Sequence, residues 1–330
     1  VVAAVVRAAD GDWPLIVVVG PTASGKTALA MRLAESLGKG GEVGGEIVSC
    51  DSVAVYRGMD VGSAKPTAEE RTRVPHHGLD LYWPDEACTA GDWARAATAA
   101  IAGIRERGRV PIVAGGTGLY LRALLEGLAP APARDEELRE RLRGIVERRG
   151  AGWLHRVLQR MDARAAAAIH ANDVPKVIRS LEVTLAAGKP QTEQWAEGRE
   201  GLRGYRVLQM AMGGAREELY RRIDARAAGM FARGLVEETA GLRARYGDGC
   251  RQLGALGYAQ AMAVLRGEMS SEDAVKAAQQ GHRNYAKRQG TWFRRVEGMR
   301  WLQGFGDEAE VQEEAVRMVR DFVVGEGGVK

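Results

Sequence analysis

Eight residues, Gly20-Pro21-Thr22-Ala23-Ser24-Gly25-Lys26-Thr27, make the first chemical statement of this sequence. They satisfy the phosphate-cradle pattern G-x-x-x-x-G-K-[ST] at every fixed position. Glycine permits torsions and close approaches that a side chain would block. Backbone N–H groups then face phosphate oxygens, with a helix N-terminus behind them. Lys26 can neutralise an outer phosphate, and the Thr27 hydroxyl can hold a phosphate-bound Mg²⁺. The motif defines a diphosphate or polyphosphate ligand and does not by itself specify ATP. Two other turns present polar side chains. Asp51-Ser52 ends the short run Glu46 to Cys50. Its carboxylate either faces a ligand or caps the following turn, and both readings fit equally. Gly115-Gly116-Thr117-Gly118 follows Val110 to Ala114 and presents the Thr117 hydroxyl, or simply closes one βα unit. Val55 to Pro66 is a loop with the cations Arg57 and Lys65, suited to further anion contacts or to solvent. His76 and His77 are adjacent, so they cannot share one face of a strand or helix. No H-E-x-x-H or similar metal spacing occurs, which favours a structural or substrate-edge role over a metal site.

These side chains need a frame. Ile16 to Val19 is a β-branched run before the glycine-bounded loop, and Ala28 to Leu37 is an Ala/Leu-rich stretch after it, giving strand, loop, helix. Glu46 to Cys50, Val110 to Ala114 and Tyr205 to Met212 read as further strands. Trp93 to Arg107 reads as a helix with Ala96, Ala97, Ala100, Ile101 and Ile104 on one face. Strands alternating with helices imply an α/β fold with a parallel sheet flanked by helices, its ligands outside the carboxyl ends of the strands. Pro130 and Pro132 read as a domain border, and residues 134 to 164 have helical periodicity without a strand signal. A helix from Ala215 carries Leu219, Ile223, Ala227, Met230 and Phe231 on an apolar stripe, with Arg222 and Arg226 one turn apart. Leu256 to Gln260 opens another helix. The expected organisation is a core of residues 13–132 and 200–305, a smaller all-helical insertion over 133–199, and a closing helix over 306–330.

Composition limits the function classes. The 330 residues carry 45% apolar side chains, a formal net charge of +4 and a pI near 9.0. No apolar run approaches membrane-spanning length. Val1 to Asp12 begins with a short apolar stretch broken by Arg7, and Val1 to Ala9 reads as a leader or a mis-set start, without a signal-peptide layout. Cys50, Cys88 and Cys250 are far apart and read as ordinary buried thiols in a reduced compartment, so a cytoplasmic location is expected. Residues 134–179 hold 11 Lys/Arg against 7 Asp/Glu, an excess of four that suits a polyanion-facing surface. Intrahelical ion pairs are the plainer reading for Arg139 to Arg149. Residues 283–300 hold six cations and one acid, interleaved with Tyr285, Trp292 and Phe293, which suits a phosphate backbone with stacking platforms.

Taken in order, Gly20 to Thr27, Asp51-Ser52-x-x-Val55-Tyr56-Arg57-Gly58-Met59-Asp60, Gly62 to Pro66, Pro75-His76-His77 and Gly115 to Tyr120 resemble the tRNA dimethylallyltransferases. These isopentenyl transferases modify the adenine next to the anticodon. Gly234 to Glu238 and Ala286-Lys287-Arg288-Gln289-x-Thr291-Trp292 extend the resemblance to roughly residues 14–302. It implies a P-loop NTPase-like core and transfer of a dimethylallyl group from dimethylallyl diphosphate to N6 of adenine 37 in tRNA. By this resemblance Asp51 is the general base, Thr117 sits beside the reacting centre, and Arg226 lies at the diphosphate channel. The implied tRNA contacts are Asp51, Ser52, Val53, Ala54, Thr117, Arg139, Pro175, Lys176, Val177, Ile178, Arg179, Gly257, Tyr258, Arg283, Lys287 and Arg288. Where relatives often carry polar residues this chain has Pro175 and Ile178, leaving Lys176 and Arg179 as the phosphate contacts. Ala259 stands where a charged residue is common, and His282 replaces the usual threonine. Mg²⁺ is the implied cofactor, tRNA and the allylic diphosphate the partners, and a monomer the expected state. The rival readings are a nucleotide kinase, an enzyme prenylating free AMP, and a non-catalytic RNA-binding protein.

Overall fold

The computed structural model describes residues 12–38, 44–129, 132, 134–194 and 200–324. Val1 to Ala9, read as a leader, and Pro130, read as part of a border, lie outside them. Contacts divide the chain into two compact units, Val1–Leu125 with Leu202–Lys330, and Glu126–Gly201.

The larger unit is built on six strands: β1 (Trp13–Val19), β2 (Gly45–Cys50), β3 (His76–His77), β4 (Val110–Gly115), β5 (Tyr205–Gly213) and β6 (Arg300–Gln303). Their order is β3-β2-β4-β1-β5-β6, and every pairing is parallel. β1 lies between β4 and β5, with Ile16 opposite Ile112 on one side and Leu208 on the other. A strand covered on both faces must be apolar throughout. Leu15, Val17 and Val19 accordingly enter one core cluster, while Ile16 and Val18 enter the other. On the first face α3 (Ala90–Glu106) and α4 (Gly118–Leu125) pack, joined by the stacked rings of Trp93 and Tyr120, 4.9 Å between centroids. α3 starts earlier than expected because Thr89 and Asp92 form a capping box. The opposite face is covered by α1 (Lys26–Ser36) and α14 (Ala309–Val324). The closing helix expected over 306–330 is α14, and it packs into this unit: Val311, Ala315, Val316 and Val319 are buried in the same cluster as Leu29 and Leu33. α2 (Ala68–Arg73) precedes β3, and α10 (Arg216–Ala232), α11 (Leu235–Tyr246), α12 (Tyr258–Leu265) and α13 (Ser271–Phe293) separate β5 from β6.

The smaller unit holds α5 (Glu136–Arg149), α6 (Ala151–Met161), α7 (Ala163–Ala168), α8 (Val174–Ala187) and α9 (Gln191–Gln194), and no strand among its described residues. It begins at Glu126 rather than 133 and ends at Gly201 rather than 199. The chain leaves the core where α4 ends, and Leu202 N returns to donate to Leu124 O at 2.9 Å. Leu142, Leu154, Leu158, Ala165, Val177, Ile178 and Leu181 form its core. Asp162 caps α7 by accepting from Ala165 N and also accepts from Thr192 N and Oγ1, tying α9 to that turn.

Candidate active site

The carboxyl ends of β1, β2 and β4 converge on a cavity of ≈210 Å³. The loop from Gly20 to Gly25 forms one wall. Gly25 sits at φ +82° and begins α1 without a side-chain cap, so the first-turn N–H groups of the helix face the cavity mouth without side-chain acceptors. A Cβ at Gly25 would lie 2.7 Å from the backbone nitrogens of Gly306 and Asp307. The segment after β6 therefore presses on the phosphate loop, and Gly306 N donates to Ser24 O at 2.9 Å. Ala23 takes a left-handed conformation, φ +64°, uncommon for a residue with a Cβ. Such strain held by surrounding contacts is typical of ligand-binding loops.

Lys26, Thr27, Asp51 and Arg226 line this cavity together with Thr22, Ala23 and Gly25. Lys26 Nζ donates to Pro21 O at 2.6 Å. Burial, with the nearby positive charge of Arg226, pulls its pKa from the ordinary 10.5 to about 7, against the opposing pull of Asp51. Arg226 is itself buried, which lowers its pKa, while Asp51 acts to raise it. Its Nε is buried without a hydrogen-bond partner. A cavity holding two poorly compensated cations calls for an anion. Lys65 also reaches it, but its charge is met by Asp60 at 2.7 Å and Asp80 at 2.6 Å.

Asp51 caps the turn, one of the two readings the sequence allowed, and it also lines the cavity. Its Oδ1 accepts from Val53 N at 2.8 Å and Ala54 N at 3.1 Å, capping the turn. Its Oδ2 makes no hydrogen bond among the described residues, and Asp51 is the one carboxylate on the cavity lining. The cap fixes the carboxylate's orientation. Thr117 Oγ1 accepts from Ser52 N at 3.1 Å, and its own N–H donates to Cys50 O at 3.2 Å, so the β2 and β4 turns are locked edge to edge. Tyr285 of α13 lines the cavity. Burial, then the charge of Asp51, pushes its phenol up to about 12, so it stays protonated.

Sequence reasoning missed Tyr285 as a site residue, along with Gln289 one turn further, which also lines the cavity. Their spacing of four on a basic, aromatic-rich stretch was the available signal. The two histidines are separated as period-two alternation requires: His76 reaches the cavity, with Nδ1 on Val74 O at 2.7 Å, while His77 Nε2 meets Glu46 Oε2 at 2.6 Å. No group of three or more metal-ligating side chains occurs among the described residues. The Thr27 hydroxyl has no partner among them and faces the cavity, which fits a Mg²⁺ carried largely by ligand phosphates and water.

Several expected RNA contacts are corrected. In the helical unit Val177 and Ile178 are 1% and 4% exposed and belong to the core. Arg139 does not form the intrahelical pair expected of its neighbours. It grips Glu182 in α8 through two hydrogen bonds of 2.9 and 2.7 Å. Arg179 joins the same carboxylate at 2.5 Å and also donates to Pro132 O. Lys176 is exposed and pairs with Asp173, and Pro175 occupies the first turn of α8. The cations of this unit that are exposed and without an ion pair among the described residues include Arg156, Arg160 and Arg164. In the larger unit Gly257 is buried as the N-cap of α12, φ +92°. Tyr258 is fully buried, its hydroxyl donating to Glu238 at 2.7 Å. Glu238 also accepts from the Asp60, Val61 and Gly62 amides, so Tyr258 props the loop at the cavity edge. Arg283 is held by Asp224 at 2.5 Å, whereas Lys287 and Arg288 are exposed on α13. Ala54 is buried beneath the cavity, and Ser52 and Val53 are half-buried beside it. His282 Nε2 is buried without a partner, and burial beside Arg226 holds its pKa near 4, so the ring is neutral.

A parallel sheet whose glycine-bounded first turn faces a buried lysine, an arginine and a single carboxylate defines a P-loop protein built to act at a diphosphate. The chain matches the IPP transferase family over residues 54–296 and the isopentenyl transferase family over residues 14–76. It belongs to the IPP transferase family. It is 56% identical to the tRNA dimethylallyltransferase of Koribacter versatilis over 309 residues, 94% of this chain and 99% of that protein. It is 50% identical to that of Solibacter usitatus over 311 residues, again 94% and 99%. Among solved structures it is similar to the full-length tRNA isopentenylpyrophosphate transferase of Bacillus halodurans, with TM-score 0.68, 36% identity and coverage of 94% and 96%. It is also similar to a eukaryotic dimethylallyltransferase acting on tRNA, with TM-score 0.77, 25% identity and coverage of 94% and 79%.

Proposed function

We propose that this chain transfers the dimethylallyl group of dimethylallyl diphosphate to N6 of adenine 37, beside the anticodon of a tRNA. The observation that carries the reading is one cavity joining the Asp51 carboxylate to Lys26 and Arg226 beneath the phosphate loop. The relatives' names supply the substrate pair.

The exocyclic amine of adenine is a weak nucleophile because its lone pair is delocalised into the ring. The allylic C1 of the donor is correspondingly electrophilic. In the transfer the N6–C1 bond forms and the C1–O bond breaks. Diphosphate leaves with the bonding electrons, and the N6 proton passes to Asp51 Oδ2, the oxygen not engaged in the cap. Lys26, Arg226 and the first-turn amides of α1 stabilise the charge gathering on the leaving oxygens. Mg²⁺ bound through Thr27 and the phosphates would supply further charge neutralisation there. Protonated Tyr285 lines the cavity, and Thr117, just beyond Gly116 of the lining, positions the turn after Asp51 by accepting from Ser52 N. The adenine must leave its stack to enter the cavity. Exposed Lys287 and Arg288 suit phosphate contacts on the RNA. A tRNA substrate with three unpaired cysteines suits the cytoplasm.

The test is mass spectrometry of nucleosides from tRNA incubated with the protein, Mg²⁺ and dimethylallyl diphosphate. N6-(dimethylallyl)adenosine should appear with wild type and be absent with Asp51→Asn, which should still retain tRNA on a filter. Full transfer by Asp51→Asn would remove the carboxylate from the reaction.

A further inference from the structure

Gln289 occupies the gap between two strand-to-helix turns that are far apart in sequence. Its Oε1 accepts from Thr22 N in the phosphate loop at 2.8 Å, and its Nε2 donates to Gly116 O after β4 at 2.9 Å. The side chain is 6% exposed. The fit is close: a Cβ on Gly116 would lie 2.1 Å from Nε2. Only a carboxamide offers one acceptor and one donor in this arrangement. A carboxylate has no donor for Gly116 O, and an apolar side chain satisfies neither group. One turn earlier on the same helix, Tyr285 lines the same cavity.

We infer that Gln289 is a positioning residue for the transfer: its amide sets the distance between the phosphate loop, which holds the leaving group, and the Gly116-Thr117 turn, which borders the attacking nitrogen. The inference rests on the prenyl-transfer reading. Displacement of reacting groups by about an ångström costs roughly a hundredfold in rate without requiring loss of binding. The clamp therefore acts on kcat. It also takes the Thr22 amide out of the set available to phosphate.

Three properties are measured on wild type, Gln289→Met and Gln289→Glu: single-turnover rate at saturating substrates, inhibition by inorganic pyrophosphate, and tRNA affinity. Hydrogen exchange over residues 20–27 is followed in parallel. In Gln289→Met the rate should fall at least about tenfold, and pyrophosphate and tRNA affinities should stay within about threefold. Exchange at Thr22 should accelerate. Gln289→Glu keeps the acceptor for Thr22 N but sets a carboxylate against Gly116 O, so it should be no faster than the Met variant and should retain protection at Thr22. A rate within about twofold of wild type in Gln289→Met, or unchanged exchange at Thr22, overturns the clamp. Parallel loss of rate, both affinities and melting temperature would make Gln289 a scaffold residue and also overturn it. Wild-type protein that makes no prenylated nucleoside would instead sink the reaction assignment, and the exchange data would still judge the clamp's geometry.

Discussion

Lys26 should make the ligand-free protein less stable than it would be without the charge. Its ammonium is buried, donates only to Pro21 O among the described residues, and faces Arg226, so its pKa falls from 10.5 to about 7. Near neutral pH, holding the proton in the fold against that shift costs about 4 kcal/mol. Lys26→Met removes the cost and loses one hydrogen bond worth about 1 kcal/mol, a net gain of about 3 kcal/mol. For a protein of this size that is roughly 4 °C in melting temperature. The sign with pH follows from proton uptake: between about pH 7 and 10.5 the unfolded chain binds more protons at this site, so wild-type stability rises with pH there. The cost is fully present below pH 7 and fades toward 10.5. The advantage of Lys26→Met should thus be greatest near pH 6, fall to about 1 kcal/mol near pH 9, and vanish at about pH 10. Calorimetry on both proteins across this range reads it directly. Pyrophosphate should raise the melting temperature of wild type and leave Lys26→Met nearly unmoved, while transfer activity collapses in the variant. Equal or lower stability of Lys26→Met near pH 6, or a difference that ignores pH, would refute a buried, under-compensated ammonium.

Other expectations concern groups away from the leaving group. Glu46, 2% exposed, is met by Arg107, Arg109 and His77; burial alone would raise its pKa, but the hydrogen bonds from Arg107 and His77 hold it at about 2. Glu46→Gln should cost about 3 kcal/mol by urea unfolding at pH 7, and the difference should shrink as pH falls from 4.5 toward 2, where wild type loses the same charge. Lys287→Ala and Arg288→Ala should each weaken tRNA binding and lower the salt slope of log K by about 1, with single-turnover rate at saturation unchanged. A filter-binding series across salt concentration checks this, and an unchanged slope would take α13 off the RNA backbone.

The parts of this architecture that could be read in advance were those written locally. The phosphate loop carries its glycines, lysine and threonine within eight residues, and β1 and β4 are apolar runs because both faces are covered. β3 and β6 are too short for periodicity, and only pairing with β2 and β5 makes them strands. Side-chain availability was the larger gap. Arg139 and Arg179 look like RNA contacts in a cation-rich stretch until Glu182 arrives from α8 to engage both. Tyr258 looks like a contact residue until Glu238 takes its hydroxyl. Gln289 is one glutamine among charged neighbours, and its meaning depends on partners 267 and 173 positions away. Apart from Arg179 and Glu182, which lie three apart on α8, these partnerships are tertiary facts, without a signature in spacing or composition.

The seating of Gly306 on Ser24, and of β1 against Tyr205 to Ala211, has a consequence for biosynthesis. A ribosome that has released the first half of this polypeptide has delivered β1 with β4 but without β5, and the phosphate loop without the segment that seats on it. Until the late segments emerge, β1 offers a bare apolar edge to other nascent chains. Messages truncated before β5 should accordingly yield aggregates and not half-active fragments, because competence arrives only when the end of the message has been read.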